Sequence, residues 1–244
     1  MKQTIKTGLA ALVLFLAISC KKENNSIQTS GIEINNSEQS VIPDTLIYAG
    51  KAIGIGTQVW MTKNLAVSHY KNGDPIPQVK DATAWAALTT GAWCYNNSDP
   101  ATGAVYGKLY NWYAVNDPRG LAPAGWHVPS DAEWTTLATF LGGEAVAGSR
   151  MKSTGTIEAG TGLWYAPNTD ATNSSGFTGL PGGFRYYTGS FYYFGHNGYW
   201  WTSTVYHTRF ILIRSLNYNN GNITNWADGF DNKPAGYSVR CVKD

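Results

Sequence analysis

The chain of 244 residues is poor in charged side chains and in cysteine. Asp, Glu, Lys and Arg together make up 14% of it, well below the usual quarter, and there are only 3 Cys. So little charge argues against a helical bundle, while 14% aromatic residues argue against a disordered chain. With Gly at 27 positions, the composition instead predicts many short strands joined by tight turns.

An excess of positive charge is also missing from the body of the chain. The formal net charge is +2, and Lys2 and Lys6 supply it, since both precede Cys20 and no acidic residue does. The remaining basic and acidic residues balance. Because nucleic-acid binding depends on clustered Lys and Arg, we expect no nucleic-acid partner.

Motifs for catalysis, for nucleotide binding and for metal binding are absent. No Gly-x-Ser-x-Gly elbow or phosphate loop occurs. The four histidines have no Cys or acidic residue at metal-ligand spacing: His69, His127, His196 and His207. We therefore expect no catalytic residues, no cofactor and no metal, and a protein that is not an enzyme. Three side chains with oxygen atoms lie close together in sequence: Asp228, Asp231 and Asn232. Calcium binds such groups, but clusters of Asp, Asn and Gly are also ordinary in turns, and we predict a polar turn here in preference to a calcium site.

The longest apolar run lies at the N-terminus and indicates export. Residues 1–19 have a basic start and an apolar stretch too short to span a membrane, as in a secretory signal. Leu16 to Cys20 resembles the lipobox of bacterial lipoproteins, with Ala17 at the position usually held by Leu. The resemblance implies that Cys20 becomes diacylated and that residues 20–45 are a flexible tether, because they are polar and aperiodic. The alternative is an ordinary signal peptide that happens to end at a Cys. We expect a lipid anchor in the outer membrane, with the leaflet left open.

One stretch carries a strong helix signal. Ser130 and Glu133 form a capping box, and Trp134, Leu137, Ala138 and Leu141 follow at helical spacing before Gly142-Gly143. Helical spacing in an earlier stretch predicts a second helix, through Tyr106, Leu109, Tyr110 and Tyr113.

The C-terminal half is predicted to be sheet. Phe184–Tyr187 and Ser190–Phe194 flank Thr188-Gly189, the signal of a hairpin with a two-residue turn. Further predicted strands, chosen by β-propensity, are 199–204, 209–214, 223–226 and 237–242.

Six ordered motifs resemble the Fibrobacter succinogenes major paralogous domain over residues 46–244. They are Gln58–Leu65, Tyr106–Tyr113, Gly125–Trp134, Leu180–Arg185, Tyr199–Thr204 and Val239–Val242. More distantly, the third and the last are similar to the formylglycine-generating enzymes. That similarity implies an α+β fold: a C-type-lectin-like domain with two main helices packed on a twisted, mostly antiparallel sheet with long loops. Those enzymes use a pair of reactive cysteines near the C-terminus. Only Cys241 lies there, so their chemistry is not expected.

The aromatic hairpin is the candidate binding site. Strand side chains alternate between two faces, so about half of its rings cannot enter one core. We expect Tyr187, Tyr192 and His196 to contact a ligand, with Trp226 and Asp228 as neighbours if the last loop folds over the same edge. Exposed rings of this kind stack on sugars or anchor a protein. The leading hypothesis is a lipoprotein that binds a carbohydrate or a protein outside the cell. The alternative for the rings is that loops cover them. The alternatives for the function are an enzyme of formylglycine-synthase-like fold with a different chemistry, and a structural module of the envelope.

The two cysteines beyond Cys20 suggest a disulfide. Cys94 and Cys241 form an even pair in a chain expected to reach an oxidising compartment. The alternative is two buried free thiols. We expect the bond.

Lipidation of Cys20 can be tested directly. Because only the Cys thiol can accept the first acyl group, metabolic labelling with a fatty-acid analogue should mark the wild-type protein and spare Cys20→Ala. Equal labelling of both proteins would rule out the anchor.

Overall fold

The computed structural model describes residues 51–208, 210–227 and 232–244. Cys20, the leader, the tether, Asp228 and Asp231 lie outside them. The helices are α1 Ala82–Ala86, a 3-10 turn Asn96–Ser98, α2 Pro100–Tyr106, α3 Trp112–Val115, α4 Asp131–Phe140 and α5 Glu144–Met151. The strands are β1 Ala52–Ile55, β2 Gln58–Met61, β3 Trp93–Cys94, β4 Leu109–Tyr110, β5 Trp126–His127, β6 Gly182–Arg185, β7 Phe191–Phe194, β8 Asn197–His207, β9 Phe210–Asn217, β10 Ile223–Ala227 and β11 Val242–Lys243. Within these residues, no helix is both long and apolar enough to cross a membrane.

Helix α4 forms as its local sequence predicts. The Ser130 hydroxyl accepts the N–H of Glu133, and the Glu133 carboxylate accepts the N–H of Ser130 at 2.7 Å, so the capping box is confirmed. The predicted apolar face is buried, with Trp134 and Leu137 fully enclosed. Each large side chain on such a face contributes about 2 kcal/mol of transfer free energy to stability.

The predicted second helix over Tyr106 to Tyr113 is wrong. Helix α2 begins earlier, capped by Asp99 with Pro100 in its first turn, and ends at Tyr106. Gly107 then takes a φ of 76°, where an added Cβ would lie 2.8 Å from the Leu65 carbonyl oxygen. The next residues pair with distant backbone, since the Tyr110 N–H donates to the Tyr237 carbonyl. Tertiary contacts therefore override the helical period of these aromatic residues.

The strands form mostly antiparallel sheets, and the fold class is α+β. One sheet has the order β1-β2-β11-β5, another β10-β9-β8-β6-β7, and β3 pairs with β4. Only the β6–β8 contact among the described strand pairs is parallel. The last predicted strand, 237–242, is shorter than expected: β11 holds two residues, and Tyr237 and Ser238 make isolated bridges instead.

The second sheet is covered on both faces around Trp200 and Trp201 of β8. Trp200 and Trp201 are neighbours on β8 that point to opposite sides, and both are fully buried. Trp200 packs with Trp134 of α4, whereas Trp201 packs with Trp112 of α3. A sheet covered on two sides explains why a chain this aromatic can fold with so few charged residues.

A buried polar network joins the two sheets. The Asn64 side-chain oxygen accepts hydrogen bonds from the Trp200 indole N–H at 2.9 Å and from the Arg240 guanidinium at 2.7 Å. The Asn64 amide donates to the Tyr106 carbonyl at 2.9 Å. One amide therefore connects four of the six sequence motifs, so these motifs encode the fold.

The predicted disulfide is wrong. Cys94 and Cys241 are both free and buried. Cys94 packs with Trp85 and Leu109, whereas Cys241 belongs to the larger core cluster around Trp201. Burial raises the pKa of each thiol to about 12, so both remain protonated and unreactive. The even number of cysteines did not predict that they are free, because a count of cysteines carries no information on which elements pack together.

Candidate aromatic binding site

The predicted hairpin is confirmed, but its turn is longer than expected. Strands β6 and β7 pair antiparallel, with Phe184 opposite Tyr192. The Tyr186 N–H donates to the Ser190 carbonyl at 2.7 Å, which leaves three residues in the loop. Gly189 supplies the positive φ, 93°, that this loop needs at its last position. The chain could not reverse over Thr188-Gly189 alone, because Thr is a poor residue for a primed turn.

An unusual backbone conformation exposes two adjacent tyrosines. Tyr193 has a φ of 57°, a strained value for a bulky residue, opposite Gly183, which has the same φ. Strand alternation would place Tyr192 and Tyr193 on opposite faces, yet both rings lie beside Phe184, at 5.9 and 6.1 Å. Tyr192 is 47% exposed and Tyr193 is 56% exposed. The strain therefore presents two rings to solvent on one side of the hairpin.

We call this surface the tyrosine face: Tyr186, Tyr187, Tyr192 and Tyr193. The structure brings the predicted residues Tyr187 and Tyr192 together through Tyr186, whose ring lies 4.2 Å from the first and 5.9 Å from the second. Buried Phe184 supports the rings from below and stacks on Tyr237 at 5.2 Å. The face is thus a rigid extension of the core.

The tip of the hairpin is fixed by the side chain of Arg185. This residue is fully buried, and its guanidinium donates to the Gly189 carbonyl at 3.0 Å and to the Val79 carbonyl at 2.7 Å. It also lies 4.4 Å over the Trp85 ring. An added Cβ on Gly189 would lie 2.6 Å from the Ala82 backbone, so the tip is packed tightly against α1.

His196 lies just beyond the tyrosine face, between two other rings. Its ring is 4.4 Å from the Tyr165 ring and tilted by 34° to it, and it is 5.0 Å from the Tyr218 ring, edge to face. The ring is half-buried, and its Nδ1 lies 3.2 Å from the Phe194 carbonyl oxygen. The sequence did not predict the contact between Tyr165 and His196, because Tyr165 lies in a loop some thirty residues away along the chain.

Trp226 is not brought to this surface. It is 54% exposed on β10, at one edge of the sheet, whereas β7 forms the opposite edge. At about 4.8 Å per strand, four steps place the two edges roughly 19 Å apart. Asp228 lies outside the described residues.

The sequence suggested that His127 is isolated, but in the structure it bridges two carboxylates. Its Nε2 lies 2.7 Å from Glu133 and its Nδ1 lies 2.8 Å from Asp244. Burial alone would lower the pKa of His127, but the hydrogen bonds to both carboxylates outweigh it and raise the pKa. The partner Asp244 is 117 residues away in sequence, so spacing could not reveal this contact.

A cleft of about 360 Å³ lies beside Trp112, Asp117, Arg119 and Lys233. Arg119 is already paired there, because it contacts Asp117 at 2.8 Å and Asp74 at 3.1 Å. Hydrogen bonds from Arg119 lower the pKa of Asp117, which therefore stays ionised and is a poor proton donor. Among the described residues, no group of three or more His, Cys, Asp or Glu is placed to hold a metal ion.

Comparison of the chain with models of known protein families shows which family it belongs to. The profile of the Fibrobacter succinogenes major domain matches residues 53–243. The chain belongs to this family. No curated protein and no solved structure matches it. In this member of the Fibrobacter succinogenes major domain family, the motif residues Asn64, Arg185 and Arg240 are buried, whereas the tyrosine face lies just after the Leu180–Arg185 motif.

The His127 contacts predict a pH-dependent stability. Only a protonated imidazole can donate to both carboxylates, and its pKa is higher when folded than the ordinary value of about 6.5. The stabilisation is therefore complete at a pH below the ordinary pKa, which applies to the unfolded chain. It is lost as the pH rises through the raised pKa of the folded protein. In urea unfolding, His127→Gln should lower stability most near about pH 6, and its deficit should shrink at alkaline pH.

His207→Gln is the matched control, since His207 is exposed at the end of β8. It should have no comparable effect. A deficit for His127→Gln that stays constant with pH would show that the charged form of His127 does not stabilise the fold.

Proposed function

We propose that this domain is a carbohydrate-binding module of the cell envelope, that it is not an enzyme, and that it binds through the tyrosine face. The single observation that carries the proposal is the exposure of Tyr192 and Tyr193 side by side on a buried aromatic support. Adjacent exposed rings that form a contiguous apolar patch are typical of an interaction site, whereas singly exposed rings are not.

Stacking explains why a sugar suits this surface. A tyrosine presents an apolar ring with a hydroxyl at its edge, which matches the apolar ring face and the hydroxyl rim of a pyranose. Because Phe184 and Arg185 already hold the hairpin in place, binding orders few groups. Low ordering cost favours useful affinity even on a small contact area.

The enzyme alternative has less support. The two best candidates for proton transfer, His127 and Asp117, are each held in ion pairs that favour their charged forms. The third possibility, a structural module that contacts another envelope protein, would use the same rings. It becomes one outcome of the experiment below.

The setting of this function is part of the proposal. We infer a C-type-lectin-like arrangement, whose long loops over a sheet suit ligand binding, and an outer-membrane lipid anchor at Cys20. The polar residues 20–45 would then hold the domain away from the bilayer. A lipid anchor and an outward-facing ring surface together fit a protein that captures glycans at the cell surface.

The test is truncation of the tyrosine face. A glycan array on the purified protein should identify a ligand, and Tyr192→Ala combined with Tyr193→Ala should weaken binding about tenfold or more, since a ring at a binding hot spot contributes over about 1.4 kcal/mol. Circular dichroism checks the fold.

Tyr206→Ala is the matched control, because Tyr206 is 67% exposed near the end of β8 and should not matter. Full affinity in a folded double variant would contradict the assignment of the face. Capture of an envelope protein, with no glycan bound, would favour the structural module.

A further inference from the structure

We propose that the cleft beside Trp112 and Asp117 is a second binding site, and that it takes one uncharged, hydroxyl-rich ring such as a monosaccharide. The cleft has a volume of about 360 Å³, within the range of small-ligand sites, which is about 300 to 1,000 Å³. It shares no residue with the tyrosine face. The inference therefore goes beyond the proposed function and does not rest on it.

The indole N–H of Trp112 is a fixed donor at this cleft. The Trp112 ring is 4% exposed and packs 5.4 Å from the Trp201 ring, so the core holds it in place. Within the described part of the chain, Trp112 forms hydrogen bonds only through its backbone, with Lys233 and Asn116. Its indole N–H has no acceptor there, yet it is not among the atoms sealed from solvent, and the residue lines the cleft. Because nearly buried polar groups normally have a partner, this donor points to a ligand with an acceptor.

Three exposed side chains that line the cleft can both donate and accept hydrogen bonds: Thr89, Thr90 and Asn116. None of these side chains has a hydrogen-bond partner among the residues that the structure describes. A ligand therefore displaces no internal hydrogen bond when it reaches them. Hydroxyl groups match such a lining, because each hydroxyl also donates and accepts.

The charged groups at the cleft are of both signs. Arg119 contacts two carboxylates, Asp117 at 2.8 Å and Asp74 at 3.1 Å, and its guanidinium lies 4.0 Å over the Tyr70 ring. Lys233 adds a second positive charge to the lining, so two cations balance two carboxylates. An acidic ligand would meet the ionised Asp117, and a basic ligand would meet Arg119 and Lys233. The cleft therefore favours an uncharged ligand.

A monosaccharide satisfies these features together. One hydroxyl oxygen can accept the Trp112 N–H, while neighbouring hydroxyls bond to the two threonines and to Asn116. The apolar face of the sugar ring can pack on Tyr113, whose half-buried ring belongs to the same lining. Because so small a ligand has few atoms, we expect weak binding, with a Kd of about 1 mM.

The experiment is NMR of the isotope-labelled protein, which resolves the indole N–H signals of its 10 Trp residues. We expect titration with D-glucose, D-galactose or D-mannose to move the Trp112 signal downfield, because its N–H gains an acceptor. The signals of Trp134 and Trp200 should stay in place, since the first indole N–H is sealed in the core and the second is bonded to Asn64. Glucuronate and glucosamine are the acidic and basic comparators.

Two variants at exposed positions locate the site. Thr90→Val and Asn116→Ala should each weaken the titrated affinity about fivefold, because each removes one hydrogen bond to the ligand. Thr139→Val is the matched control, since Thr139 is exposed on α4 and does not line this cleft. It should leave the affinity unchanged, as should Tyr192→Ala combined with Tyr193→Ala.

A Trp112 signal that does not move at any concentration of the three sugars would overturn this inference. So would a tighter response to glucuronate or to glucosamine, or full affinity in both Thr90→Val and Asn116→Ala. Loss of the response in the folded variant of the tyrosine face would mean one shared site and would overturn the second one. A Trp112 response without any glycan bound at the tyrosine face would support this inference and contradict the proposed function alone.

Discussion

The placement of the proposed binding surface depends on one buried guanidinium, that of Arg185. Burying a charge costs several kcal/mol unless it is fully hydrogen-bonded. Arg185 meets this requirement with the carbonyl of Gly189 in the hairpin and those of 79–81 before α1, between the rings of Trp85 and Phe191. Moving the hairpin away would leave the charge unpaired, and the hairpin therefore stays where the tyrosines form one face.

The same chemistry holds other loops of this charge-poor chain. Two further buried cations use backbone carbonyls as acceptors: Arg240 bonds to Met61 and Phe177, and Lys152 bonds to Thr169, Asn217 and Asn220. Burial lowers the pKa of Lys152 to about 8. Because a carbonyl is available at every residue, a single cation can fix an irregular loop that has no regular hydrogen-bond ladder of its own. Long loops can then form rigid surfaces.

How far the sequence predicts this structure depends on how local each signal is. The Ser130 capping box and the β6–β7 hairpin are decided by neighbouring residues, and both were predicted correctly. The segment after Tyr106, the free state of Cys94 and the partners of His127 depend on contacts between distant elements, which periodicity and counting do not contain. The candidate site shows the same division. Tyr187 and Tyr192 were placed together by the hairpin, whereas the strand order puts Trp226 at the opposite edge of the sheet.

Amide hydrogen exchange in Arg185→Lys tests the central claim most directly. Lys keeps the charge but cannot reach the separated carbonyls as the planar fork does. Losing these charge-assisted bonds, at about 1.5 to 3 kcal/mol each, should speed exchange of the Tyr186 and Gly189 amides about tenfold or more, with Trp201 and Ile213 in β8 and β9 unchanged. Unaltered protection of the hairpin turn, or an equal loss of protection throughout the domain, would contradict the claim that Arg185 positions the tyrosine face.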